Sequence, residues 1–462
     1  MENKMNPRRL MIIASLIFGM LFGAGNLIFP VHLGQLAGSH WLTASSGFLI
    51  SGVLIPLMAL LAISITWSNG IYDLALPNGR TYALIFLILI HATLGPFFAT
   101  PRTATVPYSI GIAPHLSASA NHIGLLIYSA CFFALTYYFS TRQQRITTLI
   151  GKLLNPAFLL LLFAIFFLAM IHPLGAASGT AITGAYQHAA FTNGFLQGYN
   201  TMDSLASLAF GITVITAIRH FGLKRDRTIS FAVAKSGILG MAGIAIIYLA
   251  LTWLGATSLH NFALSANGGT ALSQIAHHYM GTAGDAILAT LATITCMTSA
   301  MGLVVAFSQD FHRRFPKISY KAFLRFNCTL SSLIANLGLN QIIAWSTPVL
   351  MFLYPLAITL IIMSIASPLF NRDPLVFRIT TGLTLIPAFF DMLNASPAII
   401  RNTGFAQAMI SLASKYFPFF SNGFGWLSFG MAGMIIGLGI HFYRHNAQKA
   451  PTKQTASSSE ME

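Results

Sequence analysis

Charge is what this chain has least of. Asp, Glu, Lys and Arg together make up 8% of its 462 residues, where a water-soluble protein carries roughly a quarter. So few ionised groups cannot cover a globular surface of this size. Acids are the rarer half, 10 against 25 bases, and none are paired as catalytic carboxylates. An H-E-x-x-H metal motif, a nucleophile–base pair and a phosphate-cradling P-loop are also missing. These absences argue against an enzyme and against transport driven by the chain's own ATP hydrolysis, and no cofactor is expected. Cysteine adds nothing. Cys131, Cys296 and Cys328 lie in apolar runs, at spacings that suit neither a metal nor a disulfide framework.

Apolar residues fill the space that charge leaves. They account for 55% of the chain, with mean hydropathy +0.71, in runs that reach the roughly 20 residues of a bilayer-crossing helix. Twelve spans are expected, over 9–37, 41–66, 81–110, 122–139, 148–171, 192–219, 229–256, 282–309, 320–338, 341–366, 376–396 and 424–443. Pro96, Pro101 and Pro107 make the third irregular. The opening "MENKMNPRRLMIIASLIFGMLFGAG" imitates a secretory signal, but its apolar run continues through "NLIFPVHLGQLAG" to full spanning length. The net charge of +15 would suit a nucleic-acid binder. With the N-terminus placed inside, however, every Lys and Arg except Arg102, Arg401 and Lys415 falls in or beside an inner loop or tail. That bias reports orientation. It implies a lipid bilayer as partner, no nucleic acid, and cytoplasmic termini over 1–8 and 444–462, the latter a disordered tail. The outer segment 257–280 is expected to hold a short surface helix with solvated His260, His277 and His278.

Two spans are interrupted. In "FGMLFGAGNLIFP" (18–30), Gly19, Gly23 and Gly25 are followed by Asn26; in "TNGFLQGYNTMDSLASLAFG" (192–211), Asn193, Gly194, Gly198, Asn200 and Asp203 break the apolar run. An unwound turn at mid-depth frees N–H and C=O groups that hydrocarbon cannot satisfy. A bound zwitterion can. The half-helix starting near Asn26 would aim its positive end at a carboxylate, and carbonyls freed before it would take a cation. The alternative is that Gly19 and Gly23 form a G-x-x-x-G pair that packs helix on helix. The interrupted spans are the first and sixth, so they run in opposite directions, the sequence mark of an inverted-repeat transporter.

Asp203 follows the second break, and a carboxylate at that depth costs about 2.5–3.5 kcal/mol. It needs a partner, either a substrate ammonium or Arg102 of "TPRTATVPY", itself read as structural or gating. In "ATITCMTSAMG", Thr295, Thr298 and Ser299 share a helix face. They either finish a cation shell or bond back to their own helix at i−4. Apart from Asp203, Asp391 and Arg102, ionisable groups keep to span ends. Phe22, Tyr199, Leu205 and Ile294 are expected as apolar walls. The cargo expected is a neutral, apolar amino acid.

"FGAGNLIFP", "GPFFATPRTATVPYSIGIAP", "GYNTMDSLASLAFGI" and "LGLNQIIAWSTPVLMFLYP" resemble the bacterial branched-chain amino acid:cation symporter family over about residues 9–440. The resemblance implies sodium-coupled uptake of leucine, isoleucine and valine across a bacterial inner membrane. It also implies an all-α membrane protein of the amino acid–polyamine–organocation superfamily. That fold has twelve transmembrane helices in a five-plus-five inverted repeat with helices 1 and 6 broken, plus two extra C-terminal helices. The repeats would occupy 9–175 and 190–367, and the extra helices 376–443. More distantly, "GMLFGAGNLIFP" is similar to the first broken helix of neurotransmitter:sodium symporters. That likeness implies sodium held by carbonyls of Gly19 and Phe22 with Thr295, Thr298 and Ser299. Substrate would meet Gly23, Ala24, Gly25 and Asn26 on one side and Tyr199, Asn200, Thr201 and Asp203 on the other. Ile28 stands where those relatives carry an arginine, so an outer gate built on it is not carried over. Asp203, where they carry a small hydroxyl, leaves the coupling ion open between sodium and a proton. A sensor that binds an amino acid without moving it would use the same residues.

Overall fold

The computed structural model describes residues 6–141, 146–223 and 226–449, and every regular element among them is helical. Hydrocarbon explains why: a helix satisfies its own backbone locally, whereas an open strand edge would stay unpaired. The first helix, α1 (Pro7–Leu21), starts from Asn6, whose side chain accepts from the Arg9 N–H at 2.9 Å. It ends at mid-run, where Phe22 (φ −74, ψ 103) and Gly23 (φ −134, ψ −163) are extended, and α2 (Ala24–Ala37) starts afresh. A 3-10 turn at Gly38–His40 leads to α3 (Trp41–Leu49), which runs through a π turn (Ile50–Leu54) into α4 (Ile55–Thr66). The short α5 (Ile71–Ala75) precedes α6 (Arg80–Ala92) and α7 (Ala99–Gly111). A π turn at Thr93–Phe97 separates these two, with Gly95 off helical angles beside Pro96.

Next come α8 (Ala118–Thr141), α9 (Ile146–Ile171) and α10 (Gly184–Gly198). From α10 the chain passes a 3-10 turn (Tyr199–Thr201) and Met202, at φ 62, before α11 (Asp203–His220) leaves with a 44° bend. The rest is α12 (Asp226–Ser258), α13 (Gly268–Arg314), α14 (Tyr320–Ala335), α15 (Leu339–Ala366), α16 (Pro374–Ala395), α17 (Ala398–Arg401), α18 (Gly404–Tyr416) and α19 (Gly425–Lys449).

Among the described residues, eight helices are long and apolar enough to cross a membrane, or nine if the bent pair α10–α11 is one span. The difference from the expected twelve has physical causes. The first and second expected spans meet at the Gly38–His40 turn and count as one stretch from Ala24 to Thr66, with α1 standing apart. In addition, α9 enters with Ala157–Ile171 alone, and α14 has only 16 residues. Two smaller expectations need correction. The C-terminal segment is still helical through Lys449, since α19 continues five residues past Arg444; residues 450–462 lie outside the described residues. His277 is not merely solvated: its Nδ1 meets Asp285 Oδ2 at 2.6 Å, across the kink of α13 at Gly281 (φ 61). Asp391, in α16, lies at the start of α19, with Oδ1 3.5 Å from where a Cβ on Gly425 would stand.

α2 and α1 lie on α12, α3 on α10, and α4 on α11 and α12; α7 and α14 lie on α13, which also meets α2, and α8 lies on α14; α16 joins α15 to α19. Within the first group the contacts are backbone-close and reciprocal. A Cβ on Gly34 of α2 would stand 2.0 Å from Thr252 O, and one on Gly255 of α12 would stand 2.0 Å from Val31 O. Gly194 and Gly47 do the same between α10 and α3, against Ala44 O and Phe191 O at 2.0 Å. Such close approach is how helices associate without a hydrophobic driving force. Gly34→Ala is therefore expected to cost about 1–3 kcal/mol by overpacking and to lower the melting temperature of the purified protein. Gly19→Ala, whose Cβ meets nothing within 4 Å, should leave it unchanged.

Candidate functional site

Gly19's open surroundings remove one reading of the first break. Gly23 likewise meets only side chains, with Ser299 Oγ nearest at 3.4 Å from its would-be Cβ. The G-x-x-x-G pair does not seat a neighbouring backbone. The break instead rewires hydrogen bonds. In a continuous helix the Gly23 N–H would return to Gly19 O; here it donates to Asn26 Oδ1 at 2.8 Å. The Asn26 N–H, which would have returned to Phe22 O, donates to Gly23 O at 3.2 Å. Two carbonyls at the end of α1 thus lose their helical donors. Opposite them, Thr298 Oγ1 and Ser299 Oγ donate to Thr295 O at 2.7 and 3.3 Å. That is the back-bonding alternative, yet it occupies only the hydroxyl protons and leaves the oxygen lone pairs available to a cation. Thr295 is different. It does not border the cavity, and its own buried hydroxyl has no partner among the described residues.

The second break faces the first. A Cβ on Gly25 would lie 3.5 Å from Thr201 Cα. Asp203, buried at the first position of α11, ties the two together: its Oδ2 accepts from Asn26 Nδ2 at 2.8 Å and from Tyr248 OH of α12 at 2.7 Å, while Asn26 Nδ2 also reaches the Tyr248 oxygen. Asn26 therefore serves both breaks, with Oδ1 on the Gly23 amide and Nδ2 on the acid. Arg102 is not the partner of Asp203. Its Nη1 donates to Asn200 O at 2.9 Å and its Nη2 to Ser346 Oγ, and its guanidinium lies 5.2 Å from the Phe29 ring centroid.

Around these groups lies a cavity, part of it open to solvent. It is bordered by Gly19, Gly23, Ala24, Gly25, Asn26, Asn200, Thr201, Asp203, Thr298 and Ser299, all expected from sequence. Tyr199 and Phe22 are corrections. Tyr199 turns away and stacks on Tyr354 with ring centroids 4.1 Å apart, and Phe22 stacks on Phe18. Leu205 and Ile294 are not walls either; Met20, Leu94, Met202, Phe210 and Leu303 are. Tyr248, a lone phenol in "AIIYLALTW", carries no sequence signal that marks it. The cavity extends from the breaks toward the end of the molecule where α1 begins and α11 ends, as Met20, Phe210 and Leu303 show.

Residues 6–443 match the family model described as branched-chain amino acid transport protein. The chain is 42% identical to the branched-chain amino acid permease BrnQ of Lactobacillus delbrueckii subsp. lactis, over 92% of this chain and 95% of that one. It is 35% identical to the branched-chain amino acid permease BraB of Bacillus subtilis, over 95% and 96%. Among solved structures it is similar to MHP1, a nucleobase-cation-symport-1 family transporter in a closed conformation with bromovinylhydantoin bound. The TM-score is 0.59 at 11% identity, covering 97% of this chain and 94% of that one. It is similar also to MhsT in complex with L-phenylalanine, with a TM-score of 0.51 at 16% identity, over 96% and 99%. At these identities the likeness is one of fold.

Proposed function

Because the chain belongs to the branched-chain amino acid transport protein family, we propose that it imports leucine, isoleucine and valine with sodium across a bacterial inner membrane, by alternating access. The observation that carries this reading is the meeting of two chain interruptions across a cavity, with 3.5 Å between the Gly25 Cβ position and Thr201 Cα. In this reading α1–α2 and α10–α11 are the broken first and sixth helices of a five-plus-five inverted repeat. They move with α3–α4 and α12 against α6–α7, α8, α13 and α14. Both termini lie in the cytoplasm, in keeping with the placement of Lys and Arg.

Sodium sits between the end of α1 and the middle of α13, held by the carbonyls of Gly19 and Phe22 and the hydroxyl oxygens of Thr298 and Ser299. Thr295 contributes by fixing those two hydroxyls through its carbonyl. The amino acid lies with its ammonium at Asp203 and its carboxylate near the start of α2, whose dipole favours it. The side chain lies among Met20, Leu94, Met202, Phe210 and Leu303. Selection among the three substrates is modest, since a methylene in an apolar pocket is worth roughly 1–3 kcal/mol.

A zwitterion moving with one sodium ion carries one net charge, worth about 2.3 kcal/mol per 100 mV, or about fifty-fold accumulation. Purified protein in vesicles is expected to concentrate labelled leucine under an inward sodium gradient with the interior negative, and not under a pH gradient alone. Accumulation that ignores sodium and follows the pH gradient would instead make Asp203 a proton carrier and remove the cation site.

A further inference from the structure

Arg102 has no counter-charge. It is 3% exposed, borders the cavity, and among the described residues its guanidinium meets only a carbonyl, a hydroxyl and a ring. Its Nε–H reaches no acceptor. Asp203 is the one acid among the cavity-lining residues, and it spends Oδ2 on Asn26 and Tyr248 instead. The wall thus holds one buried cation and one buried anion that do not pair with each other. Charges kept out of water in this way require a partner, and the pair is complementary to a molecule carrying both signs.

We propose that Arg102 receives the carboxylate of the transported amino acid, while Asp203 holds the ammonium. This rests on the transport reading and extends it. The guanidinium already braces the second break through Asn200 O and lies over Phe29, a turn or so beyond the Gly25 and Asn26 amides. The start of α2 and Arg102 both border the cavity, so a carboxylate held there can meet the two together. The helix end supplies partial charge, whereas the guanidinium supplies a full charge and the planar geometry that matches a carboxylate. The assignment makes Arg102 a specificity residue: an amine without the acid, or an acid without the amine, leaves one buried charge unanswered and is rejected.

The test compares leucine with leucinamide, which keeps the ammonium and side chain but lacks the carboxylate. Affinities are measured by calorimetry on purified wild type, Arg102→Met and Arg102→Lys at saturating sodium. In the methionine variant, leucine affinity is expected to fall about a hundredfold or more, while the weak affinity for leucinamide changes less than about threefold, the scatter expected of a lost neutral contact. Lysine, which keeps the charge and loses the fork, should narrow the leucine-to-leucinamide ratio by about tenfold. Equal losses for both ligands in the methionine variant would reduce Arg102 to a brace for Asn200 and overturn the assignment. If that variant does not fold, an unchanged ratio in the lysine variant overturns it as well. Wild-type protein that binds no leucine at all would instead end the transport reading, and this assignment with it.

Discussion

Asp203→Asn is expected to lower leucine uptake below saturation by at least about a hundredfold. Truncating one member of a buried charge pair costs about 3–5 kcal/mol, because the other member is left unanswered. Here the stranded charge is the substrate ammonium. The Asn side chain can still accept from Asn26 and Tyr248, so the break itself need not collapse, and the melting temperature should stay close to that of wild type. Two ligands separate a lost ion pair from a distorted site. Leucine should lose nearly all of its affinity, whereas 4-methylpentanoate, which has no ammonium, should bind the variant no worse than wild type. Ordinary uptake by Asp203→Asn would remove the acid from the site and from either coupling scheme.

Gly25→Leu is expected to abolish uptake, to below about 1% of wild type, while leaving membrane insertion and thermal stability intact. A Cβ at this position fits, with Phe29 Cε2 at 3.4 Å and Thr201 Cα at 3.5 Å, both ordinary contacts. The three further carbons of leucine have only the Phe29 ring, the Thr201 backbone or the ligand cavity to enter. Overpacking against ring or backbone costs about 1–3 kcal/mol. Entering the cavity excludes the ligand, so side-chain rotation relieves the clash at the expense of binding. Gly25→Ala, which adds only the fitting Cβ, should keep the fold and weaken leucine binding moderately. Uptake assays alongside surface labelling of inserted protein distinguish the two variants. Normal transport by Gly25→Leu would mean that the ligand does not lie in the cavity that Gly25 and Thr201 border.

The two interruptions were legible in sequence because the residues that mark them are costly at bilayer depth: glycine next to Asn26, and Asn200 followed closely by Asp203. What lines the space between them was not. A helix that is apolar all round carries no periodic signal of which face meets a cavity, so Tyr199 and Phe22 were read as walls while Met20 and Phe210 went unnoticed. Tyr248 escaped for the same reason; only the folded chain brings its hydroxyl to Asp203, 45 residues away. Hydroxyl spacing put Thr295, Thr298 and Ser299 on one helix face but could not show that only the last two border the cavity while Thr295 stands behind them. The boundary expected between the first two spans, 37 to 41, falls on the Gly38–His40 turn, where Gly38 leaves helical angles.

Met202 bears on how the cargo is told apart. It holds a left-handed backbone (φ 62) at the second break and also borders the cavity. Glycine there would relieve about 1–2 kcal/mol but would take away a thioether. A methionine wall is pliant, with three soft torsions and a polarisable tip. It can follow a branch at either the first or the second side-chain carbon without opening a void. The chain thus tolerates a local conformational penalty at a point where it keeps a surface that reshapes itself around differently branched ligands, and breadth of recognition follows from that adaptability.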